Sequence, residues 1–163
     1  MIYFAYGSNM CSQRLQQRVT SANSLGVGTL RLHKLTFHKV SKKDGSGKCD
    51  IFASDTHEVI GVLFRIDPAE KPKLVKFEGL GKGYNEKEVE IITKNGQAIT
   101  AFTYYATDID PTLNPFTWYL RHVIEGAKDC NLPESYIKML ETVEAVRDPD
   151  FERERKELEI YHK

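Results

Sequence analysis

The chain changes its hydrophobic period once, and that change limits the folds open to it. Through roughly the first two-thirds, apolar residues alternate with polar ones at the spacing of strands, whose successive side chains turn to opposite faces. Leu35, Phe37 and Lys39 alternate with Thr36, His38 and Val40, and Ile99, Ala101, Thr103 and Tyr105 mark a second such strand. In the last third the apolar residues recur every three to four positions: Phe116, Tyr119, Val123, Ala127 and Cys130 share one helical face. Strands gathered in one stretch and helices in another specify an α+β fold, with a curled or barrel-like sheet and helices packed around it.

Residues 2–5 read as a buried strand that ends in a sharp turn at Gly7, and residues 12–19 as a short helix. Strands are expected over 24–32, 35–40, 51–54 and 59–66, with a polar loop over 41–48 and a turn at Asp55-Thr56-His57. Asp67-Pro68 supplies the cap and first residue of a helix that runs to about Phe77 and stops at Glu78-Gly79. Lys94-Asn95-Gly96-Gln97 joins two strands as a hairpin turn. Asn114-Pro115 opens one late helix and Pro133 another, the latter with Tyr136, Leu140 and Val143 inward. Residues 151–163 are strongly charged, with only Leu158 and Ile160 to anchor them as a surface helix or a tail. Nothing divides the 163 residues, which fit a single domain.

Lys and Arg together number 23, as do Asp and Glu, so net charge offers no attraction to nucleic acid or an anionic membrane. No apolar run approaches the roughly 18 residues of a membrane helix. The apolar start, Met1 to Tyr6, is too short for a signal-peptide core and lacks a basic lead-in, so a cytoplasmic location is expected. Cys11, Cys49 and Cys130 are odd in number and lack redox or zinc spacing, which favours free thiols in a reducing compartment. No histidine pairs with another ligand at metal spacing on one helix face, and no Gly-rich phosphate loop is present, so neither metal nor cofactor is expected.

Two segments carry candidate chemistry. In Tyr6-Gly7-Ser8-Asn9-Met10 a strand runs straight into glycine, which lets a ligand approach the backbone. Free amides in such a turn form a nest for a carboxylate or a developing oxyanion. The same string also reads as an ordinary turn in which Ser8 and Asn9 bond locally. Glu78 ends a helix, where the helix dipole disfavours a carboxylate. Partial burial against Phe77 would raise its pKa and make it a general base; otherwise it is a solvated residue of a capping segment. Tyr84, Tyr104, Tyr105 and Tyr119 either bond a ligand or form aromatic core with the hydroxyl at its edge.

Taken in order, these segments resemble the γ-glutamylcyclotransferase-like superfamily. The carrying residues are Phe4-Ala5-Tyr6-Gly7-Ser8-Asn9-Met10, then Glu78-Gly79 with Gly83-Tyr84, then Tyr119 through Gly126-Ala127-Lys128 with Asn131-Leu132-Pro133 and Tyr136. The resemblance implies a small mixed β-barrel with flanking helices, a small-molecule γ-glutamyl substrate, no metal or cofactor, and a homodimer. It implies that the substrate's α-amine attacks its own γ-amide to release 5-oxoproline. Glu78 would be the general acid and base, Tyr6, Gly7, Ser8 and Asn9 would hold the substrate, and Tyr84, Tyr105 and Tyr119 would orient it. The family often has aspartate three residues before the glutamate, where this chain has Val75. That departure carries the alternative, a non-catalytic protein that binds a small molecule in the same cavity. A third reading gives the charged C-terminus to a protein partner.

Overall fold

The computed structural model describes residues 1–162; Lys163, the last residue of the expected charged segment, lies outside them. Five strands close into a barrel in the spatial order β1-β3-β2-β4-β5. They are β1 (Ile2–Ala5), β2 (Asn23–Val40), β3 (Gly47–Arg65), β4 (Tyr84–Thr93) and β5 (Ala98–Ala106). Neighbours run antiparallel except at the closing seam, where β1 meets β5 in parallel at Tyr3 and Phe102. The helices are α1 (Ser12–Arg18), α2 (Lys71–Glu78), α3 (Thr117–Asp129), α4 (Glu134–Glu141) and α5 (Phe151–Leu158). The expected α+β barrel is thus the observed fold. No helix among the described residues is long and apolar enough to cross a membrane.

Three local expectations are corrected. The segments 24–32 and 35–40 form one strand, β2, which bends where Leu32 takes a φ of 57°. Asp55-Thr56-His57 does not end a strand. Arg31 faces Glu58 and His33 faces Ala53, so residues 54–57 stand out of β3 as a bulge opposite Leu32. Ser54 and His57 bond side chain to side chain (2.8 Å), which accommodates the turn-forming residues without breaking the ladder. Asn114-Pro115 does not open α3, which starts at Thr117. The carbonyls of Asn114 and Pro115 instead accept from the amides of Gly47 and Val146, both at 3.0 Å, which pins this segment across the end of β3.

The site depends on how β1 leaves the barrel. Phe4, Leu63, Phe64 and Ile91 fill the core beneath it. Beyond Ala5 the chain enters a 3₁₀ turn, Ser8–Met10, and α3 lies directly on that turn. A Cβ at Gly126 of α3 would stand 2.4 Å from the Cys11 amide nitrogen and 2.6 Å from the Met10 carbonyl carbon, so only glycine allows this approach. The C-terminal α5 packs Leu158 against the core and is also held by polar bonds. Asp150 caps it through the Arg153 amide (3.0 Å), and the Arg153 side chain grips the buried Asp148 at 2.6 and 2.7 Å.

Candidate active site

Gly7 and Ser8 sit where strand gives way to the 3₁₀ turn. The Met10 and Cys11 amides close that turn onto the Gly7 and Ser8 carbonyls (3.0 and 3.3 Å). Neither the Gly7 nor the Ser8 amide has a backbone acceptor in a turn or loop among the described residues. A Cβ at Gly7 would lie 2.9 Å from Cys49 Cβ and 3.4 Å from the Tyr119 hydroxyl. The glycine therefore keeps open the space between the turn, β3 and α3.

Glu78 approaches the same space from α2. The helix ends as the Gly79 amide bonds the Val75 carbonyl (3.0 Å) in a left-handed cap. Asn9 Nδ2 donates to Glu78 Oε1 at 2.6 Å and to the Tyr3 hydroxyl at 3.1 Å. Arg18 donates to Asn9 Oδ1 at 3.0 Å, which fixes the amide with its NH₂ toward the glutamate. Two segments 69 residues apart are thereby joined through Asn9.

Tyr6, Gly7, Ser8, Asn9, Glu78, Tyr84 and Tyr119 all line one inner pocket of about 30 Å³. Tyr105, expected among them, does not. Tyr104 takes the place on the wall, and Tyr105 faces the other side of β5, where the Lys87 ammonium lies 5.4 Å from its ring centre. Residues 101–104 are buried on both faces of the strand, so no polar alternation marked which tyrosine points inward. Tyr3 and Cys49 also line the pocket. Tyr3 stands in an apolar run, Ile2 to Ala5, that resembles ordinary strand core, and Cys49, between Lys48 and Asp50, reads only as a free thiol.

Most of these hydroxyls hold the pocket's own frame. Tyr84 donates to the Cys49 carbonyl (2.7 Å), the Cys49 amide donates to the Tyr119 hydroxyl (3.0 Å), and Tyr6 donates to the Tyr104 carbonyl (2.5 Å). Among the described residues the buried Tyr104 hydroxyl has no hydrogen-bond partner. A buried polar group left unsatisfied is costly, and a ligand's polar atom would relieve it.

Burial among these rings pushes the Glu78 carboxyl above its ordinary value, against the opposing pull of Arg18, the Asn9 bond, Arg14 and Lys39. Phe77 is not the cause: it is 58% exposed, with the Arg18 guanidinium 5.0 Å from its ring centre. Burial also pushes the Cys49 thiol up to about 12, so it stays protonated at neutral pH and is a poor nucleophile. Among the described residues, no group of three or more His, Cys, Asp and Glu could hold a metal ion.

A cow protein named γ-glutamylcyclotransferase is 34% identical over 148 residues, covering 88% of this chain and 78% of its own length. The chain belongs to the γ-glutamylcyclotransferase family. A human protein of the same name is 33% identical over the same extent. The profile of the AIG2-like family matches residues 58–140. A solved structure titled γ-glutamyl cyclotransferase superposes with a TM-score of 0.85 at 30% identity, covering 96% of this chain and 98% of that one. YkqA from Bacillus subtilis shares the fold (TM-score 0.75, 21% identity), this chain spanning 55% of it. These relatives place the chain among enzymes of the cyclotransferase type.

In this γ-glutamylcyclotransferase-family chain, Ser8, Glu78, Tyr84 and Tyr119 also border an outer cleft of about 280 Å³. Arg153 and Glu157 of α5 form part of its wall.

Proposed function

We propose that this chain cyclises γ-glutamyl compounds to 5-oxoproline, with Glu78 moving the protons. The observation that carries the reading is the meeting of one buried carboxyl, raised in pKa, with the Gly7–Asn9 turn across a single small pocket. The substrate's α-ammonium loses a proton to the Glu78 carboxylate. The neutral amine attacks the γ-carbonyl carbon and a tetrahedral oxyanion forms. Glu78 returns the proton to the departing nitrogen as the C–N bond breaks. The regenerated carboxylate takes the second proton of the former α-amine and passes it to the released amine, which leaves as its ammonium while the ring nitrogen keeps one hydrogen. A raised pKa suits both halves: the carboxylate is a stronger base, and its acid form persists closer to neutral pH.

The Gly7 and Ser8 amides supply donors for the oxyanion or the substrate's α-carboxylate. The Tyr104 hydroxyl meets a polar atom of the substrate, while Tyr84 and Tyr119 fix the Cys49 backbone and so the shape of the wall. Tyr105 takes no part. Closure of a five-membered ring is intramolecular, so positioning supplies much of the acceleration, and no enzyme nucleophile is required. Buried or part-buried free cysteines support a reducing, cytoplasmic setting.

The Val75 departure does not support the binding-only alternative, because Val75 lines neither the pocket nor the cleft. Its carbonyl serves the α2 cap, so the departure from aspartate leaves the acid and the donors in place.

Purified protein incubated with γ-glutamyl-alanine should release 5-oxoproline, read by mass spectrometry. Substrate binding without product in the wild-type protein would establish the binding-only alternative instead.

A further inference from the structure

The formal charge of the whole chain is balanced, yet the outer cleft is strongly basic. Part of that charge is matched internally. Lys48 pairs with Asp44 at 2.9 Å, Arg153 with Asp148 at 2.6 Å, and Arg14 with Glu157. Arg18, Lys39, Lys42, Lys43 and Lys82 also line the cleft, and among the described residues none of the five forms an ion pair.

These are not all free-swinging surface chains. Arg18 and Lys39 are half-buried, and they ride on aromatic faces, 5.0 Å from the Phe77 and 4.6 Å from the Tyr84 ring centre. Tyr84 borders both hollows, so Lys39 stands where pocket passes into cleft. Among the described residues, Glu78 is the one carboxylate lining the cleft that has no ion pair of its own, and a single negative charge does not balance five cations.

Given the γ-glutamyl reading, on which this step rests, the ligand's charge at this mouth follows. The γ-glutamyl α-carbon carries one ammonium and one carboxylate, so that half of the substrate is neutral overall. Because Ser8, Glu78, Tyr84 and Tyr119 border both spaces, a γ-glutamyl group in the pocket directs its leaving group into the cleft. We infer that the outer cleft selects leaving groups bearing two separated negative charges, so that the preferred substrates are γ-glutamyl conjugates of acidic amino acids. Separation matters because the cations stand on three segments around the mouth: α1, the end of β2 with the loop after it, and the loop after α2. They match two carboxylates held apart better than one compact anion. A cationic amine is disfavoured by like charge.

Calorimetric titration of the Glu78→Gln protein tests this without turnover. The probes are γ-glutamyl-glutamate, γ-glutamyl-alanine and γ-glutamyl-putrescine. The first should bind about tenfold more tightly than the second, and the third most weakly, at low ionic strength. The ratio of the first two should shrink severalfold between about 20 mM and about 0.5 M NaCl, as screening shortens the reach of the cations. Combining Lys42→Gln, Lys43→Gln and Lys82→Gln, all at exposed positions, should lower the same ratio severalfold, which a merely structural role would not do. Equal affinity for γ-glutamyl-glutamate and γ-glutamyl-alanine, or tightest binding of the putrescine conjugate, overturns the inference while leaving the γ-glutamyl reading standing. Failure of all three to bind overturns both.

Discussion

Two glutamates border the same cleft and have opposite electrostatics. Glu78 forms no ion pair among the described residues and accepts from a neutral amide; burial among tyrosine rings drives its pKa up. Burial opposes ionisation of Glu157 too, but a bond from His122 and the charge of Arg14 outweigh it and hold the carboxyl at about 2. Burial keeps His122 itself below its ordinary value, so at neutral pH it is a neutral ring. Its Nε2–H donates to Glu157 (3.2 Å) while Nδ1 accepts from the Tyr161 hydroxyl (2.6 Å). The charge that secures Glu157 is therefore that of Arg14. The contrast separates two uses of a carboxylate: one denied a counter-ion is able to move a proton, and one given a counter-ion ties the C-terminal helix to α1.

Turnover should separate them most. Glu78→Gln should cost roughly a hundredfold to ten-thousandfold in kcat, the usual range for a lost general base, with the protein still folded. Glu157→Gln should stay within about tenfold of wild type, since on this account its carboxylate touches no reacting atom. Gly7→Ala comes next. The added methyl meets the crowded contact with Cys49 and the Tyr119 hydroxyl. A displacement of that wall should lower kcat/KM by about a hundredfold.

Stability should reverse the order of the two glutamates. Glu157→Gln should destabilise by about 1–2 kcal/mol in denaturant unfolding at neutral pH; the figure falls short of a fully buried pair because the Glu157 side chain is 23% exposed. Its folded pKa is depressed, so this contribution is present above the ordinary glutamate value and is lost as pH falls toward about 2. Glu78 has the opposite sign. Its folded pKa is raised, so ionising it costs the fold. Glu78→Gln should therefore raise Tm slightly at neutral pH, with the gain full above the raised value and gone below about pH 4.

Much of the molecule was legible in the sequence because its signals are local. The change of period gave the α+β order, the glycine turn gave the donor segment, and Glu78 stood out at an unfavourable helix end. The remainder depends on partners far apart in the chain or on strands covered on both faces. Arg14 and Glu157 are 143 residues apart, and nothing in the charged C-terminal stretch names its counter-ion. Tyr104 and Tyr105 are adjacent on a strand buried on both sides, and only the closed barrel decides which enters the pocket. Asn9 read as a turn residue or, by resemblance, a substrate contact; its role as the bridge between Arg18 and Glu78 exists only once α2 has packed beside α1. Asp55-Thr56-His57 carried a genuine turn signal, but the ladder absorbed it as a bulge.

A carbon-13 NMR titration of the glutamate side-chain carboxyls reads both groups in one sample. The midpoint of Glu78 should lie above the ordinary glutamate value of about 4.3. Glu157 should titrate near about 2. A Glu78 midpoint at or below the ordinary value would contradict the account, because a carboxyl so acidic would hold its proton too weakly to serve both as base and as acid.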